Sequence, residues 1–256
     1  MPLLELRGLT KHFGGLVALY DLHLDVTEGE ILGIIGPNGA GKTTVFNLIS
    51  GVYKPTRGRV VFKGRDITGL RPDKIARRGI VRTFQNIALW QDLTVMDTMR
   101  AACHLVSGTD FFGTFLNTPA NLRKEKIVDE KALEILRFVG MDHLKDQVAE
   151  TTSHGYQRLL SIAIGLASKP SLLLLDEPVT ALSPERVVAI MNLIRKIREE
   201  GTTVVIIEHN MRAIFGVCDR LAVLNYGAKI AEGSPAEIRE NKDVIVAYSG
   251  ARKDVS

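Results

Sequence analysis

The stretch Gly36-Pro37-Asn38-Gly39-Ala40-Gly41-Lys42-Thr43-Thr44 decides the fold of this chain. It has the spacing G-x-x-x-x-G-K-[ST], and it lies between the apolar run Ile31–Ile35 and a helical pattern. Glycines let successive backbone N–H groups face one concave space, and the start of a helix adds partial positive charge. The stretch therefore predicts a phosphate-binding loop, in which Lys42 reaches the β- and γ-phosphates and the Thr43 hydroxyl contacts Mg²⁺.

An acidic pair follows a second apolar run, Leu172–Leu175. A carboxylate at the end of a buried strand is costly unless something at that place needs it. Asp176 is therefore a candidate for holding Mg²⁺ through its water shell. Glu177, one residue further on, is placed to orient or deprotonate an attacking water.

Two further polar residues, Gln85 and His209, also follow strand-like runs. The carboxyl ends of neighbouring parallel strands meet at one edge of a sheet, where ligands bind. We therefore expect Lys42, Gln85, Asp176 and His209 to lie together. In that place Gln85 is a candidate ligand of Mg²⁺ or water, and His209 is a candidate contact of the γ-phosphate.

The composition is that of a globular protein. Among 256 residues, 45% are hydrophobic and 24% are charged, which excludes a disordered chain. No apolar run approaches the roughly 18 residues of a membrane-spanning helix, and the N-terminus does not have the pattern of a signal peptide. The two cysteines, Cys103 and Cys218, form no disulfide or metal-binding pattern and suit a reducing cytosol. The net charge of +4 comes from interspersed residues of both signs, which argues against a nucleic-acid binder.

The periodicity of apolar residues predicts a mixed α/β chain. Leu3–Leu9, Val17–Val26 and Arg59–Lys63 have strand patterns separated by turn signals, and they favour an antiparallel sheet. Continuous apolar runs are typical of parallel strands covered on both faces, and they occur at Ile31–Ile35, Leu172–Leu175 and Val204–Ile207, with a shorter run at Ile80–Val81.

Helical patterns lie between these strands. Ser183-Pro184 predicts the start of one helix, with Ser as the N-cap, and Gly201 predicts its end. A second apolar face runs from Val128 to Val139 and ends at Gly140. Residues from about 86 to 167 are mostly helical in pattern and indicate an insertion into the α/β core, with Ser107–Asn121 expected to be a loop. Two short strands and a closing helix are expected after Arg220.

The motifs together resemble those of ABC transporter ATPases, over nearly the whole chain. They occur in the order of that family: the phosphate loop, Gln85, Ser153-His154-Gly155-Tyr156-Gln157, Leu172–Pro178 and Glu208-His209. Other segments are similar to the ATP-binding subunits of branched-chain amino acid transporters. These segments are Lys11–Ala18, Arg78–Asn86, Asp110–Asn121, Ile230–Pro235 and Ala247–Gly250.

The resemblance implies one nucleotide-binding domain over residues 1–256, with the P-loop NTPase fold of ABC ATPases. A RecA-like core with a parallel sheet and an N-terminal antiparallel β subdomain would comprise about 1–85 and 168–256. An inserted α-helical subdomain carrying the signature segment would comprise about 86–167.

The resemblance also implies roles for individual residues. Phe13 would stack on the adenine of ATP, and Val17 would pack beside it. Ser153 and Gly155 would cap the γ-phosphate of ATP bound to the opposite ATPase subunit. Glu177 would be the catalytic base, assisted by His209, Lys42 and Gln85. The remaining residues expected to bind ATP or Mg²⁺ are Gly36, Pro37, Asn38, Gly39, Ala40, Gly41, Thr43, Thr44 and Asp176.

Three positions depart from the family pattern. The signature segment usually opens with Leu and has Gln after its second Gly, where this chain has Thr152 and Tyr156. Ser183 stands where many relatives have Asp. These departures concern the contact across the dimer, and one composite ATP site could be weakened by them. Ile87, Leu89 and Trp90 form an apolar cluster that fits either a docking groove for the membrane subunit or ordinary core packing.

The function implied is ATP hydrolysis that powers an importer of branched-chain or related amino acids. Its partners would be two polytopic permease subunits, a second ATPase subunit (with a heterodimer as the family precedent) and, indirectly, an extracytoplasmic solute-binding protein. Its place would be the cytoplasmic face of the membrane. The alternatives are the ATPase of a lipid exporter, a soluble ABC ATPase acting on nucleic acid or ribosomes, and a catalytically weakened regulatory subunit. The single phosphate loop and the absence of sustained heptads in the sequence argue against the soluble class.

Overall fold

A computed structural model describes residues 2–83, 92–107 and 119–249. The chain forms two compact units, each considered by itself. The first unit comprises Met1–Arg82 and Ser171–Ser256, and the second comprises Thr83–Pro170. The first unit is therefore discontinuous in sequence, and the chain leaves it directly after Arg82 and returns at Ser171.

The centre of the first unit is a six-stranded mixed sheet with the order β10-β9-β3-β8-β7-β6. Five of its strands are parallel, and β10 pairs antiparallel with β9. Every residue of β3, β7 and β8 is buried, as the continuous apolar runs predict. The strands are β3 (Ile31–Ile35), β6 (Ile80–Arg82), β7 (Leu172–Asp176), β8 (Thr203–Ile207), β9 (Arg220–Asn225) and β10 (Ala228–Gly233).

A second, antiparallel sheet of the first unit has the order β2-β1-β4-β5. The expected antiparallel arrangement is confirmed. The first strand continues past the predicted Leu9 to Phe13, and the third begins at Arg57, two residues before the predicted Arg59. Alternate leucines of β1 and β2 are buried and enter the same core as the first helix. The strands are β1 (Leu4–Phe13), β2 (Leu16–Val26), β4 (Arg57–Phe62) and β5 (Arg65–Asp66).

Among the helices of the first unit, α6 begins and ends where the sequence signals indicate, whereas the single closing helix that was expected is two helices, α8 and α9, separated at Asn241. The helix α6 starts at Pro184 after Ser183 and is followed by Gly201, whose φ of +90° suits glycine. Its buried face includes Ile190, Met191, Ile194 and Ile197, which recur at the three- and four-residue spacing of one helix face. The helices are α1 (Lys42–Ile49), α2 (Pro72–Ala76), α6 (Pro184–Glu199), α7 (Met211–Val217), α8 (Pro235–Glu240) and α9 (Lys242–Ser249).

The second unit is helical in its described part. Its helices are α3 (Val95–Ser107), α4 (Pro119–Phe138) and α5 (His154–Leu166), with two short 3-10 helices at Asp142–Leu144 and Ala149–Thr151. Arg100 of α3 donates from Nε and Nη2 to the two carboxylate oxygens of Asp129 in α4, at 2.6 and 3.1 Å. This two-pronged geometry fixes the two helices to each other at that point.

The expectation of a loop over Ser107–Asn121 is wrong at both ends. Ser107 is the last residue of α3, and Pro119–Asn121 is the start of α4. Proline suits a helix start because its missing N–H would have no partner there. Residues 108–118 lie outside the described residues. No helix among the described residues has the length and apolar character needed to cross a membrane.

Candidate nucleotide-binding and catalytic site

The predicted phosphate loop connects β3 to α1, and two of its glycines lie where a side chain would collide with backbone. A Cβ atom on Gly36 would lie 2.1 Å from the carbonyl oxygen of Leu224, and one on Gly41 would lie 2.7 Å from that of Ala18. Gly41 also has a φ of +102°. The loop is thus held tightly between β9 and β2, and larger residues at these two positions would push it outward.

The N-terminus of α1 opens toward this loop. Gly41 is the N-cap and carries no side chain, and no described side chain caps the first turn. The N–H groups there are consequently available to an anion, and the helix dipole favours negative charge. Thr43, in the same turn, is exposed, and Thr44 is half-buried beside it.

Lys42 is buried, and its ammonium group turns back onto the loop. Its Nζ donates to the carbonyl oxygens of Gly36 and Pro37 at 2.7 and 2.9 Å. Burial lowers the pKa of Lys42, while the negative charges of Glu177 and Asp176 act in the opposite direction. The lysine therefore lies within electrostatic reach of both acidic residues, as the predicted meeting of strand ends requires.

Asp176, at the end of β7, is buried in an ion pair. Its Oδ2 accepts a hydrogen bond from Nη2 of Arg82 at 2.7 Å, and both side chains are about nine-tenths buried. The same guanidinium donates from Nη1 to Oδ1 of Asn47 in α1 at 2.6 Å. Sequence reasoning missed Arg82 and Asn47. The signal that could have found Arg82 is a charged residue at the end of an apolar strand run beside the strand that carries Asp176.

Glu177 and His209 lie side by side at the same edge of the sheet. Nε2 of His209 is 2.8 Å from Oε1 of Glu177, and Oγ1 of Thr180 donates to Oε2 at 3.3 Å. The backbone N–H of Glu177 donates to the carbonyl oxygen of Ile207 at 2.9 Å, which ties the ends of β7 and β8 together. The φ of Glu177 is +49°, an uncommon conformation for a residue with a side chain and one that occurs often at active sites.

Phe13 and Val17 lie near the end of the β1–β2 hairpin and are both exposed, by 40% and 44%. The rings of Tyr53 and Phe13 contact each other at an interplanar angle of 74° with centroids 5.1 Å apart, and Nζ of Lys11 lies 4.9 Å from the Phe13 centroid. An exposed aromatic ring held in place by a second ring offers a flat apolar surface. Tyr53 and Lys11 are contributors that the sequence analysis did not single out for the site.

Ser153 and Gly155 begin α5 in the second unit. Ser153 is the N-cap residue and is exposed, but its side chain makes no capping hydrogen bond. Thr152 is buried, and its hydroxyl donates to the carbonyl oxygen of Ala149 at 2.7 Å, so a polar residue is accommodated where Leu is usual. The rings of Tyr156 and His143 contact each other at an interplanar angle of 70°, with centroids 5.8 Å apart.

Four of the predicted residues lie outside the described residues: Gln85, Ile87, Leu89 and Trp90.

Ser183 is the exposed N-cap residue of α6, as predicted, without a side-chain cap to the helix backbone. A hydrogen bond from Ser183 lowers the pKa of Glu185.

The oxygen atoms available at this site determine whether it suits a nucleotide with bound Mg²⁺. The described residues contain no cluster of three or more His, Cys, Asp or Glu side chains placed to hold a metal ion. Mg²⁺ in phosphate-binding enzymes needs no such cluster, because it takes one or two protein oxygens and completes its shell with waters and phosphates. The Thr43 hydroxyl, the Asp176 carboxylate and the glycine cradle meet that requirement. A phosphate loop, a buried lysine and a Glu–His pair at one sheet edge together define a nucleotide-hydrolysing P-loop protein.

Comparison with known proteins narrows this class to one family. The model of the ABC transporter family matches residues 19–180, and a model described as branched-chain amino acid ATP-binding cassette transporter matches residues 228–248. The high-affinity branched-chain amino acid transport ATP-binding protein BraF of Pseudomonas aeruginosa is 42% identical over 250 residues, which cover 97% of this chain and 98% of BraF.

Two solved structures extend the match to the fold. An ATP-binding cassette of an ABC transporter in its ADP conformation has a TM-score of 0.85 and 31% identity, and the match covers 98% of this chain and 99% of that one. A cassette solved as a dimer in a post-hydrolysis state with ADP and Pi has a TM-score of 0.75 and 26% identity, and the match covers 91% of this chain and 98% of that one. The chain belongs to the ABC transporter family, and its fold is that of the family's ATP-binding cassettes.

Proposed function

We propose that this chain is the ATP-binding and ATP-hydrolysing subunit of an importer for branched-chain or related amino acids. The single observation that carries the hydrolytic part is the Glu177–His209 pair beside the buried Lys42 of the phosphate loop. The amino acid class is supported by the name of BraF and by the C-terminal family model over residues 228–248.

ATP binding uses the hairpin, the loop and the first turn of α1. Adenine stacks on the exposed ring of Phe13 with Val17 beside it, and the backbone of the phosphate loop surrounds the β-phosphate. The Lys42 ammonium exchanges its two carbonyl acceptors, Gly36 and Pro37, for phosphate oxygens. The remaining loop residues in this role are Asn38, Gly39, Ala40, Gly41, Thr43 and Thr44.

The residues that would hold Mg²⁺ are Thr43 through its hydroxyl, Gln85 and, through water, Asp176. When bound, the ion would neutralise charge on the phosphate oxygens. The part played by this chain is to keep the Asp176 carboxylate fixed in place. Arg82 does this by engaging Oδ2, which leaves Oδ1 of the same carboxylate for the water shell.

Hydrolysis requires an attacking water, and Glu177 is the base that orients it. The water oxygen bonds to the γ-phosphorus as the bond to the β–γ bridging oxygen breaks, and the water proton passes to the Glu177 carboxylate. ADP and phosphate are the products. His209 holds Glu177 through Nε2 and contacts the γ-phosphate.

Closure of a second ATPase subunit completes the site. Ser153 and Gly155 cap the γ-phosphate of ATP bound to the opposite subunit, because an uncapped helix start with a free hydroxyl suits an anion.

Residues 1–256 act as one nucleotide-binding domain, with the signature segment in the helical part. A related second ATPase and two polytopic permease subunits are the partners, at the cytoplasmic face of the membrane, and an extracytoplasmic binding protein delivers the solute.

The experiment is to tag the protein in its native cell, purify it in mild detergent and identify what accompanies it. Recovery of polytopic membrane subunits with a second ATPase is the expected result, followed by ATP-dependent uptake of labelled leucine, isoleucine or valine in vesicles containing that complex. Recovery with ribosomes, with nucleic acid or without any membrane protein would overturn the transport role. Uptake of lipid instead of amino acids would overturn the solute class.

A further inference from the structure

Glu208 is a buried carboxylate that neither the phosphate loop nor the Glu177–His209 pair accounts for. It follows β8 directly, and only 1% of its surface is exposed. Burying an ionised carboxylate is costly unless hydrogen bonds replace its water. The partners of this side chain therefore indicate what it does.

Three backbone N–H groups donate to Glu208, and they come from two different segments. The N–H of Val179, in the turn after Glu177, donates to Oε1 at 2.9 Å. The N–H groups of His209 and Asn210 donate to Oε2 at 2.8 and 3.1 Å. One side chain thus joins the segment that follows the catalytic base to the backbone that carries the histidine.

This arrangement needs a carboxylate. Each oxygen of Glu208 accepts from a different segment, so a carboxamide of the same shape would satisfy one segment and present an N–H to the other. Hydrogen bonds to an ionised acceptor are also stronger than those between neutral groups. Both members of the Glu177–His209 contact of 2.8 Å adjoin these hydrogen bonds along the chain, because Glu177 is two residues before Val179 and His209 is itself a donor to Glu208. The backbone hydrogen bond from Glu177 to Ile207 also joins the two segments.

We propose that Glu208 is a positioning residue for ATP hydrolysis. It fixes the backbone on both sides of the Glu177–His209 pair, so that the base and the histidine keep their mutual distance while the nucleotide site opens and closes. The proposal rests on the function proposed above for that pair. Glu208 acts through its neighbours and has no contact with ATP in this role.

The first test compares Glu208→Gln with Glu30→Gln in the full-length protein. Glu30 is a matched control because it is also a largely buried carboxylate, accepting from the Thr27 backbone at 2.7 Å and from Arg220, but it lies before β3, at the far end of the strands. We expect Glu208→Gln to lower kcat for ATP about 10- to 100-fold. The Kd of ATP, measured by equilibrium binding, should change less than about threefold because the phosphate loop is untouched. Glu30→Gln should leave kcat within about twofold of the original.

The second measurement follows the NMR signal of His209 in the absence of nucleotide. The chain has six histidines, so selective ¹³C labelling gives a simple spectrum, and His209→Ala assigns the relevant signal. Glu208→Gln should shift the His209 signal in the direction produced by Glu177→Gln, whereas Glu30→Gln should leave it in place. A merely stabilising carboxylate would not give this pattern.

A conservative variant covers the case in which Glu208→Gln does not fold. Glu208→Asp keeps two carboxylate oxygens on a shorter stem, and we expect its kcat to lie between those of the original and the Gln variant, with a smaller shift of the His209 signal. Thermal unfolding of all variants separates loss of fold from loss of turnover.

The outcomes distinguish this proposal from the function on which it rests. If Glu177→Gln and His209→Ala abolish hydrolysis while Glu208→Gln behaves like Glu30→Gln in both kcat and spectrum, Glu208 is structural and this proposal is overturned. If Glu177→Gln and His209→Ala themselves hydrolyse ATP at the original rate, the proposed catalytic pair is wrong, and the positioning role is overturned with it.

Discussion

The edge of the central sheet and the start of α5 both present groups suited to phosphate, but their side chains are arranged in opposite ways. At the sheet edge, Lys42 bonds to loop carbonyls, Asp176 to Arg82, and Glu177 to His209. At the start of α5, Ser153 is exposed and caps nothing. The first region is assembled within one chain, and the second has the character of a surface that another molecule completes. The following predictions test that difference, beginning with the largest effect.

Glu177→Gln should lower the rate of ATP hydrolysis about 10²- to 10⁴-fold, because the amide cannot accept the water proton. ATP binding should persist, since the loop and Lys42 are unchanged, and Nε2 of His209 still has a side-chain partner. The measurement is kcat together with the Kd of ATP. Glu199→Gln, an exposed carboxylate at the end of α6, is the control. Unchanged turnover in Glu177→Gln would remove this residue from the role of base.

Arg82→Ala tests whether ion pairs within the chain hold the side chains at the edge of the central sheet. It leaves the buried Asp176 without its cation, and loss of one partner of a buried pair typically costs about 3–5 kcal/mol. The free energy of unfolding should fall by about 3 kcal/mol, and Mg²⁺ should increase the affinity for ATP less than it does in the original chain.

Arg71→Ala is the matched control for this prediction. Its ion pair with Asp73 is exposed, so the change should cost less than about 1 kcal/mol. The free energy of unfolding, measured with denaturant for the original chain, Arg82→Ala and Arg71→Ala, tests this difference. Equal losses in the two variants would mean that the Arg82–Asp176 pair does not stabilise the sheet edge.

The sheet edge was also the region that sequence reasoning described best. The phosphate loop, the acidic pair and His209 stand at strand ends, and their motifs follow from the backbone geometry that phosphate binding requires. The buried strands β3, β7 and β8 were recognisable because short, continuous apolar runs are typical of strands covered on both faces.

Long-range side-chain partners were not recognisable in the same way. Arg82 is 94 residues from Asp176, and Glu208 is 29 residues from Val179, so each contact depends on strand order, which no local pattern encodes. Tyr53 and Phe13 meet for the same reason. The helical state of Pro119–Asn121 was missed because a segment rich in Gly, Phe, Thr and Asn precedes it and hides the helix start.

Ser153→Ala probes the second region. If its hydroxyl serves ATP on the opposite subunit, turnover should fall about tenfold, equivalent to roughly 1.4 kcal/mol, with little change in thermal stability. Ser234→Ala is a sharp control, because Ser234 truly caps its helix: its side chain accepts from the N–H of Glu237 in α8. That variant should lose about 1 kcal/mol of stability and keep its turnover. The opposite result for the two serines would show that Ser153 is a helix cap and not a ligand contact.

The smallest effect is expected at the β1–β2 hairpin, where the exposed ring of Phe13 is in contact with Tyr53. Phe13→Leu removes the flat ring and should weaken ATP binding about 3- to 10-fold, in line with roughly 0.5–1.5 kcal/mol for an aromatic contact. Tyr53→Leu leaves Phe13 in place but removes the ring that meets it at 5.1 Å, so it should cost less than Phe13→Leu. Tyr20→Leu, at an exposed position of β2, is the control and should leave the Kd of ATP unchanged. Because adenine distinguishes ATP from a bare triphosphate, the same variants should bind inorganic triphosphate as the original chain does. An equal loss of affinity for ATP and for inorganic triphosphate would mean that Phe13 supports the phosphate loop and does not contact adenine. The hairpin would then resemble the edge of the central sheet, whose side chains are held by partners within the same chain.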